Sequence, residues 1–236
     1  MQSTAVPPKS PLRGISSMAT RQLLAQLTAD WHQACGLEAA FESVGGVDAA
    51  KRVQAGEAFD VVALASDAID KLMAAGCLHP GSKVDLVRSG TSVAVREGAL
   101  LPDIGSEDAV RRAVLAARSV SYSTGPSGVA LAKLFERWGI ADAIRDRIVT
   151  PPPGTPVASL IARGEVELGF QQLSELIHVP GIAIVGPLPP AIAIDTIFSA
   201  AIGQASARVA DARALLAYLV SPEAADAKRR QGMDPL

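Results

Sequence analysis

Aromatic side chains make up only 4% of this 236-residue chain, and it has two cysteines, Cys35 and Cys77, with no CxxC pair. That cysteine content excludes a structural zinc ribbon or a disulfide-stapled small domain. A Cys35–Cys77 bridge would require an exported chain, and two unpaired cysteines are the default reading. No run of about eighteen apolar residues is present, so no helix is expected to insert into a membrane. The formal net charge is −2 and no Lys/Arg block dominates, which argues against nucleic acid or an anionic membrane as partner. The three histidines, His32, His79 and His178, are scattered without HxH or HExxH spacing, so no protein-held metal is expected. GxSxG, Walker A and GxGxxG are all missing, and no catalytic residue is assigned on motif grounds. Glu165 and Glu167 stand two apart at a strand edge, as an exposed face would, and are not read as an acid–base pair. No cofactor is implied.

Residues 1–11 are polar and Pro-rich, lack the apolar core of a signal peptide, and are expected to form a disordered lead-in. The expected location is periplasmic if a leader has been removed ahead of this start, and cytoplasmic if Met1 is native.

What is present is an alternation of short apolar runs with helical periodicity. Residues 12–15 read as a strand. Leu23, Leu24, Leu27 and Trp31 then recur at helical spacing until Gly36 stops the pattern. Residues 37–43 read as a second strand and Val44-Gly45-Gly46 as a turn, with a short helix over 48–55. The run Phe59-Asp-Val-Val-Ala-Leu-Ala65 reads as a nearly all-apolar strand, which suits a parallel strand covered on both faces. Ser66-Asp67 is expected to cap the helix that follows. This βαβαβα order predicts a parallel, doubly wound sheet, in which ligands bind beyond the carboxyl ends of the strands.

Residues 84–96 read as one long strand, or as two broken at Ser89-Gly90. Thr150-Pro-Pro-Pro-Gly-Thr-Pro156 reads as a stiff connector into a helix over 157–163, and a strand over 166–170 leads to Gln171-Gln172. Two further strands, over 182–185 and 194–202, and two helices, over 207–219 and 222–232, complete the chain.

The most informative segment is Ser119-Val-Ser-Tyr-Ser123-Thr124-Gly125-Pro126-Ser127-Gly128-Val-Ala-Leu-Ala132. A β-prone run ends in small hydroxyl and glycine residues, and a helix opens directly behind them. A strand-to-helix turn of this kind presents free N–H groups and hydroxyls to an anion. Similar turns recur at Ser16-Ser17, Ser43–Gly46 and Ser66, so a small oxyanion or carboxylate is the expected ligand.

Four stretches carry a family resemblance: Gly14-Ile15-Ser16-Ser17; Val53-Gln-Ala-Gly-Glu-Ala-Phe-Asp-Val-Val-Ala-Leu-Ala-Ser66-Asp67; Ser123-Thr-Gly-Pro-Ser-Gly128; and Pro156-Val157-Ala-Ser-Leu-Ile-Ala-Arg-Gly-Glu-Val-Glu-Leu-Gly-Phe170. In order and spacing the chain resembles the type II periplasmic solute-binding proteins, in particular their molybdate-binding-like branch, over about residues 12–235. The resemblance implies two doubly wound α/β lobes joined by two hinge strands. Residues 1–86 plus 190–236 would form one lobe and 87–189 the other, with the ligand in the cleft between them and hinge closure on binding. Carried over by position, the family's anion contacts fall on Ser16 or Ser17, on Ser43, Gly45 and Gly46, on Ser66, on Ser123, Thr124, Gly125 and Ser127, and on Val157. Gln171 stands where the family often has a tyrosine hydroxyl. An amide both donates and accepts, which suits a carboxylate better than a bare tetrahedral dianion.

Plainer roles stand beside these. Ser16, Ser17 and Ser66 also read as helix caps, Gly125-Pro126 as ordinary turn chemistry, Gln171 as a solvated loop residue and Asp67 as a helix-start charge. Arg13, Arg88 and Arg96 lie nearest the presumed cleft strands, and one of them inside the cleft would mark a carboxylate ligand. The leading functional reading is the solute-binding component of an ABC-type uptake system, with a transporter membrane component as partner. Some proteins resembling this branch are isomerases that move a double bond in a small tricarboxylate, of the aconitate isomerase type, and form the alternative. Asp67, Glu42 or a cleft-facing histidine would then be the base, and a carboxylate or histidine inside the cleft with a raised pKa would distinguish that case. A ligand-sensing domain is the third reading, weakened by the lack of a basic helix-turn-helix segment.

Overall fold

The computed structural model describes residues 10–152 and 154–236. Most of the lead-in expected over residues 1–11 therefore lies outside the described residues. The strand β1 (Leu12–Ser17) enters a single 3-10 turn over Met18–Thr20 and then α1 (Arg21–Cys35). Leu23, Leu24, Leu27 and Trp31 form the buried stripe of α1, each of these side chains contributing roughly 1.5–3 kcal/mol of apolar burial. Gly36 closes the helix in the left-handed conformation, at φ 73°. Then follow β2 (Ala39–Val44), α2 (Gly46–Gln54), β3 (Val61–Ala65) and α3 (Ser66–Ala74). β1 pairs in parallel with both β2 and β3, and every residue of β3 is buried, as the apolar run required.

The segment over 84–96 is one continuous strand, β4 (Val84–Arg96). Next in the chain come α4 (Glu107–Ala116), β5 (Val120–Tyr122), α5 (Pro126–Arg137), α6 (Ala141–Ile144), α7 (Val157–Ala162) and β6 (Leu168–Gln172). A single-turn helix α8 (Leu173–Leu176) leads to β7 (Ile182–Pro187) and β8 (Asp195–Ile202). The chain ends with α9 (Val209–Leu219), α10 (Ala225–Arg230) and a two-residue strand, β9 (Asp234–Pro235).

Among the described residues the strands run in the order β2-β1-β3-β8-β4-β6-β5, with β7 and β9 also on β4. β4 changes partners along its length. Residues 84–90 pair antiparallel with β8, whereas 91–96 pair with β6 and β7. Gly90 lies opposite Asp195 there, and the Thr91 N–H donates to the Ile194 carbonyl at 3.0 Å, so two strands cross the junction side by side. The hydrophobic clusters divide at the same point. One pair of clusters draws on residues before 88 and after 197, and the other on residues 93–192. In the second, Phe135 meets Tyr122, Trp138 and Phe170 at ring-centroid distances of 5.8, 5.9 and 6.2 Å. The fold is thus α/β, with two doubly wound halves joined by two strands. Cys35 and Cys77 are both free thiols.

Candidate functional site

The carboxyl ends of β1, β3, β5 and β6 open onto a cleft of about 750 Å³ at this junction. One wall is built by the turn after β1 (Ser17, Met18, Ala19) and by the first turns of α2 and α3. The other is built by residues 123–127, by the connector around Pro151–Pro156, by Val157, and by Gln171, Gln172 and Glu175. Helix starts face the space from both sides, and their unpaired N–H groups favour a negatively charged ligand.

The loop before α5 shows why the sequence needs glycine there. A Cβ on Gly128 would overlap the Ser123 carbonyl oxygen, so the loop folds back onto the helix only with glycine at this place. That approach brings Ser123 Oγ and Ser127 Oγ within 2.9 Å of each other, and Ser127 is buried on the cleft wall. Pro126 occupies the first turn, where a missing N–H costs nothing.

Of the residues singled out in the sequence, Ser17, Gly45, Gly46, Ser123, Thr124, Gly125, Ser127, Val157 and Gln171 line the cleft together. Ser16, Ser43 and Ser66 are not among its lining residues. Ser16 is fully buried and shares a 2.8 Å hydrogen bond with Ser43, holding β1 to β2. Ser66 is the first residue of α3 and not its cap: Ala65 holds the N-cap position and no side chain caps that end. Ser17 does cap, accepting from the Ala19 N–H at 3.4 Å.

Arg13, Arg88 and Arg96 stay outside as well. Arg13 is bound to Glu57 at 2.6 Å and lies over the Phe59 ring. Glu42 is held by Arg52 at 2.6 Å, and His178 shares a 2.6 Å hydrogen bond with Gln231, so neither is a cleft base. Asp67 does reach the lining, but it is exposed and paired with Lys71 at 3.6 Å.

The site holds groups that sequence reasoning missed. Lys51 and Lys71 are the cations of its lining; Thr150, Thr155 and Thr196 add hydroxyls. The stretch read as a stiff connector is a wall of the cleft. Gln172 is buried in the lining; with its amide turned so that both ends find partners, it donates to Ser89 Oγ at 2.8 Å and accepts from Thr196 Oγ1 at 2.9 Å.

Most consequential is Glu175. It sits in α8, immediately beyond β6, and faces the cleft. Burial raises its pKa from the ordinary 4.5 to about 7, and a hydrogen bond from Gln171 opposes that rise. The Gln171 Nε2 donates to Glu175 Oε1 at 2.9 Å, while Gln171 Oε1 accepts from the Ala158 N–H of α7 at 3.0 Å. α8 is also where the two halves touch: Ser174 Oγ donates to the Ala19 carbonyl at 2.9 Å. The cleft therefore combines anion-binding N–H groups, hydroxyls and two lysines with one carboxyl able to take or give a proton near neutrality. Among the described residues no cluster of His, Cys, Asp or Glu is arranged to hold a metal, and no helix is long and apolar enough to cross a membrane.

The family model described as bacterial extracellular solute-binding protein matches residues 12–234. An aconitate isomerase from Pseudomonas sp is 38% identical over 240 residues, covering 98% of this chain and 90% of that protein. Among solved structures, the periplasmic molybdate-binding protein of Azotobacter vinelandii superposes with a TM-score of 0.79 at 22% identity, over 94% of this chain and 98% of its own. The sulfate-binding protein SubI of Mycobacterium tuberculosis H37Rv gives 0.77 at 14% identity, over 97% and 88%. At those identities the two structures speak for the fold alone.

Proposed function

The chain belongs to the bacterial extracellular solute-binding protein family, and from that premise we propose that its cleft takes a small unsaturated tricarboxylate and moves the double bond by one carbon. The observation that carries this reading is Glu175, a half-buried carboxyl on the wall of an anion-binding cleft, its pKa raised by desolvation to about 7. A carboxyl that titrates near neutrality suits an allylic proton shift, which needs a group able to take a proton and give it back. The aconitate isomerase relative, similar along nearly the whole chain, supports the same choice.

In this mechanism Glu175 removes a proton from the substrate's methylene carbon. The electron pair left behind delocalises through the double bond into the adjoining carboxylate. N–H groups at the helix starts and the hydroxyls of Ser123, Thr124 and Ser127 stabilise that charge. Glu175 then returns the proton to the formerly vinylic carbon. One C–H bond breaks and one forms, the double bond has moved, and composition is unchanged, so no oxidant, reductant or co-substrate is consumed. A pKa near 7 lets one carboxyl serve as base and then as acid. Lys51 and Lys71, the cations of the lining, supply the charge that balances the substrate's outer carboxylates in this mechanism, Lys71 exchanging its contact with Asp67 for one with the ligand.

A second reading, favoured by the family, is capture without turnover: a periplasmic component handing a small anion to an ABC-type transporter. In both readings the described residues of 1–86 with 190–236 and those of 87–189 form the two lobes that close on the ligand. A proton NMR time course with cis- and trans-aconitate separates the readings. Interconversion by the wild-type protein, reduced at least about 100-fold in Glu175→Gln while ligand still raises that variant's Tm, supports the isomerase. Binding with an unchanging spectrum supports capture.

A further inference from the structure

We propose that Gln171 is a positioning residue that confines the exchangeable proton of Glu175 to Oε2, the oxygen that Gln171 does not engage. This rests on the reading of Glu175 as the proton carrier, but its structural part stands without turnover. The amide has one possible orientation. The Ala158 N–H, a donor only, meets the amide at 3.0 Å and so fixes the oxygen toward α7. The NH2 group must then point the other way, where it donates to Glu175 Oε1 at 2.9 Å. An oxygen that accepts this bond behaves as the carbonyl oxygen of the neutral acid, and the proton is left on Oε2. Gln171 is itself only 3% exposed, so water does not compete for these bonds.

No charge near Glu175 offers a competing account. Of the elements packed against α8, β6, β7 and the turn before α1 contain no charged residue, and the charged residues of β4, Asp85, Arg88 and Arg96, are exposed and outside the cleft. His178, just beyond α8, is bound to Gln231. The charged lining residues Asp48, Lys51, Asp67 and Lys71 lie on α2 and α3, and none contributes to the Glu175 shift, which comes from burial opposed by the Gln171 bond.

The test is a carbon-13 NMR titration of the glutamate side-chain carboxyls in ligand-free protein, with Glu175→Gln identifying the resonance. Gln171→Leu removes the donor, and the Glu175 midpoint is expected to rise by about one pH unit. Gln171→Glu keeps an acceptor for the Ala158 N–H but sets a second carboxyl against Oε1. The midpoint should rise further, because two carboxyls then share one proton. If the protein turns over tricarboxylate, the acid limb of kcat/KM moves with the midpoint in Gln171→Leu. A Glu175 midpoint unchanged in both variants, even with lowered stability, would overturn the proposal and leave Gln171 a packing residue. A shifted midpoint in a protein that converts no tricarboxylate would uphold the Gln171 assignment and refute the isomerase.

Discussion

Replacing Glu175 by Gln should stabilise the ligand-free protein at pH 8 and do so much less at pH 5. Glu175 titrates at about 7 in the folded chain against an ordinary 4.5. Between those values the folded state keeps a proton that the unfolded state has released. Stability then falls as pH rises across that window. Below pH 4.5 both states are protonated and Glu175 imposes no penalty. Above pH 7 the whole penalty is present, about 3 kcal/mol for a separation of this size. Glutamine has no charge to desolvate, and its oxygen still accepts from Gln171. The variant should therefore gain about 2–3 kcal/mol over wild type at pH 8, or roughly 5–10 °C in Tm for a chain of this length. At pH 5 the gain should fall below about 1 kcal/mol. Urea unfolding of both proteins at the two pH values measures the difference directly, and the remaining titrating groups cancel. An equal gain at both values would refute the reasoning, because it would mean that Glu175 is solvated in the folded chain.

Gly128→Ala should cost more than about 2 kcal/mol and weaken ligand binding at least tenfold, since the new Cβ overlaps the Ser123 carbonyl and pushes the loop open; chemical denaturation and calorimetry read the two effects. Phe135→Ala should cost about 3–5 kcal/mol, because its ring is fully buried among Tyr122, Trp138 and Phe170, while leaving the cleft residues in place. Lys51→Ala should weaken a tricarboxylate several-fold and a monocarboxylate little, with the difference fading at high salt, as titration calorimetry at two ionic strengths would record.

Much of the fold was legible because its signals are local. The all-apolar β3 predicts a strand covered on both faces. The Ser123–Gly128 segment announces a strand-to-helix turn through its own glycines and hydroxyls. Hydroxyls at the other strand ends were harder to place. Adjacent strand residues point to opposite faces, so Ser16 and Ser17 cannot both face the ligand, and sequence alone does not say which does. The structure turns Ser16 inward onto Ser43 and leaves Ser17 at the cleft. Ser66 reads as a cap because serine precedes a helical pattern, yet the helix already begins there, one residue early. Glu175 escaped for a different reason. Its helix spans four residues, too few for a periodic pattern, and it follows directly on a strand that itself runs on through Gln172. The burial that raises its pKa comes from packing between α8 and distant parts of the chain, as in the Ser174–Ala19 contact 155 residues apart. Nothing in the local sequence records such a contact.

The central claim, that Glu175 moves a proton on a bound ligand, is tested most directly by incubating the wild-type protein with trans-aconitate in deuterium oxide and following the ligand by proton NMR. The account expects solvent deuterium to enter the allylic methylene as the cis isomer grows in, with neither change in Glu175→Gln. A ligand that binds but neither takes up label nor changes isomer would contradict it and leave the cleft a site of capture alone.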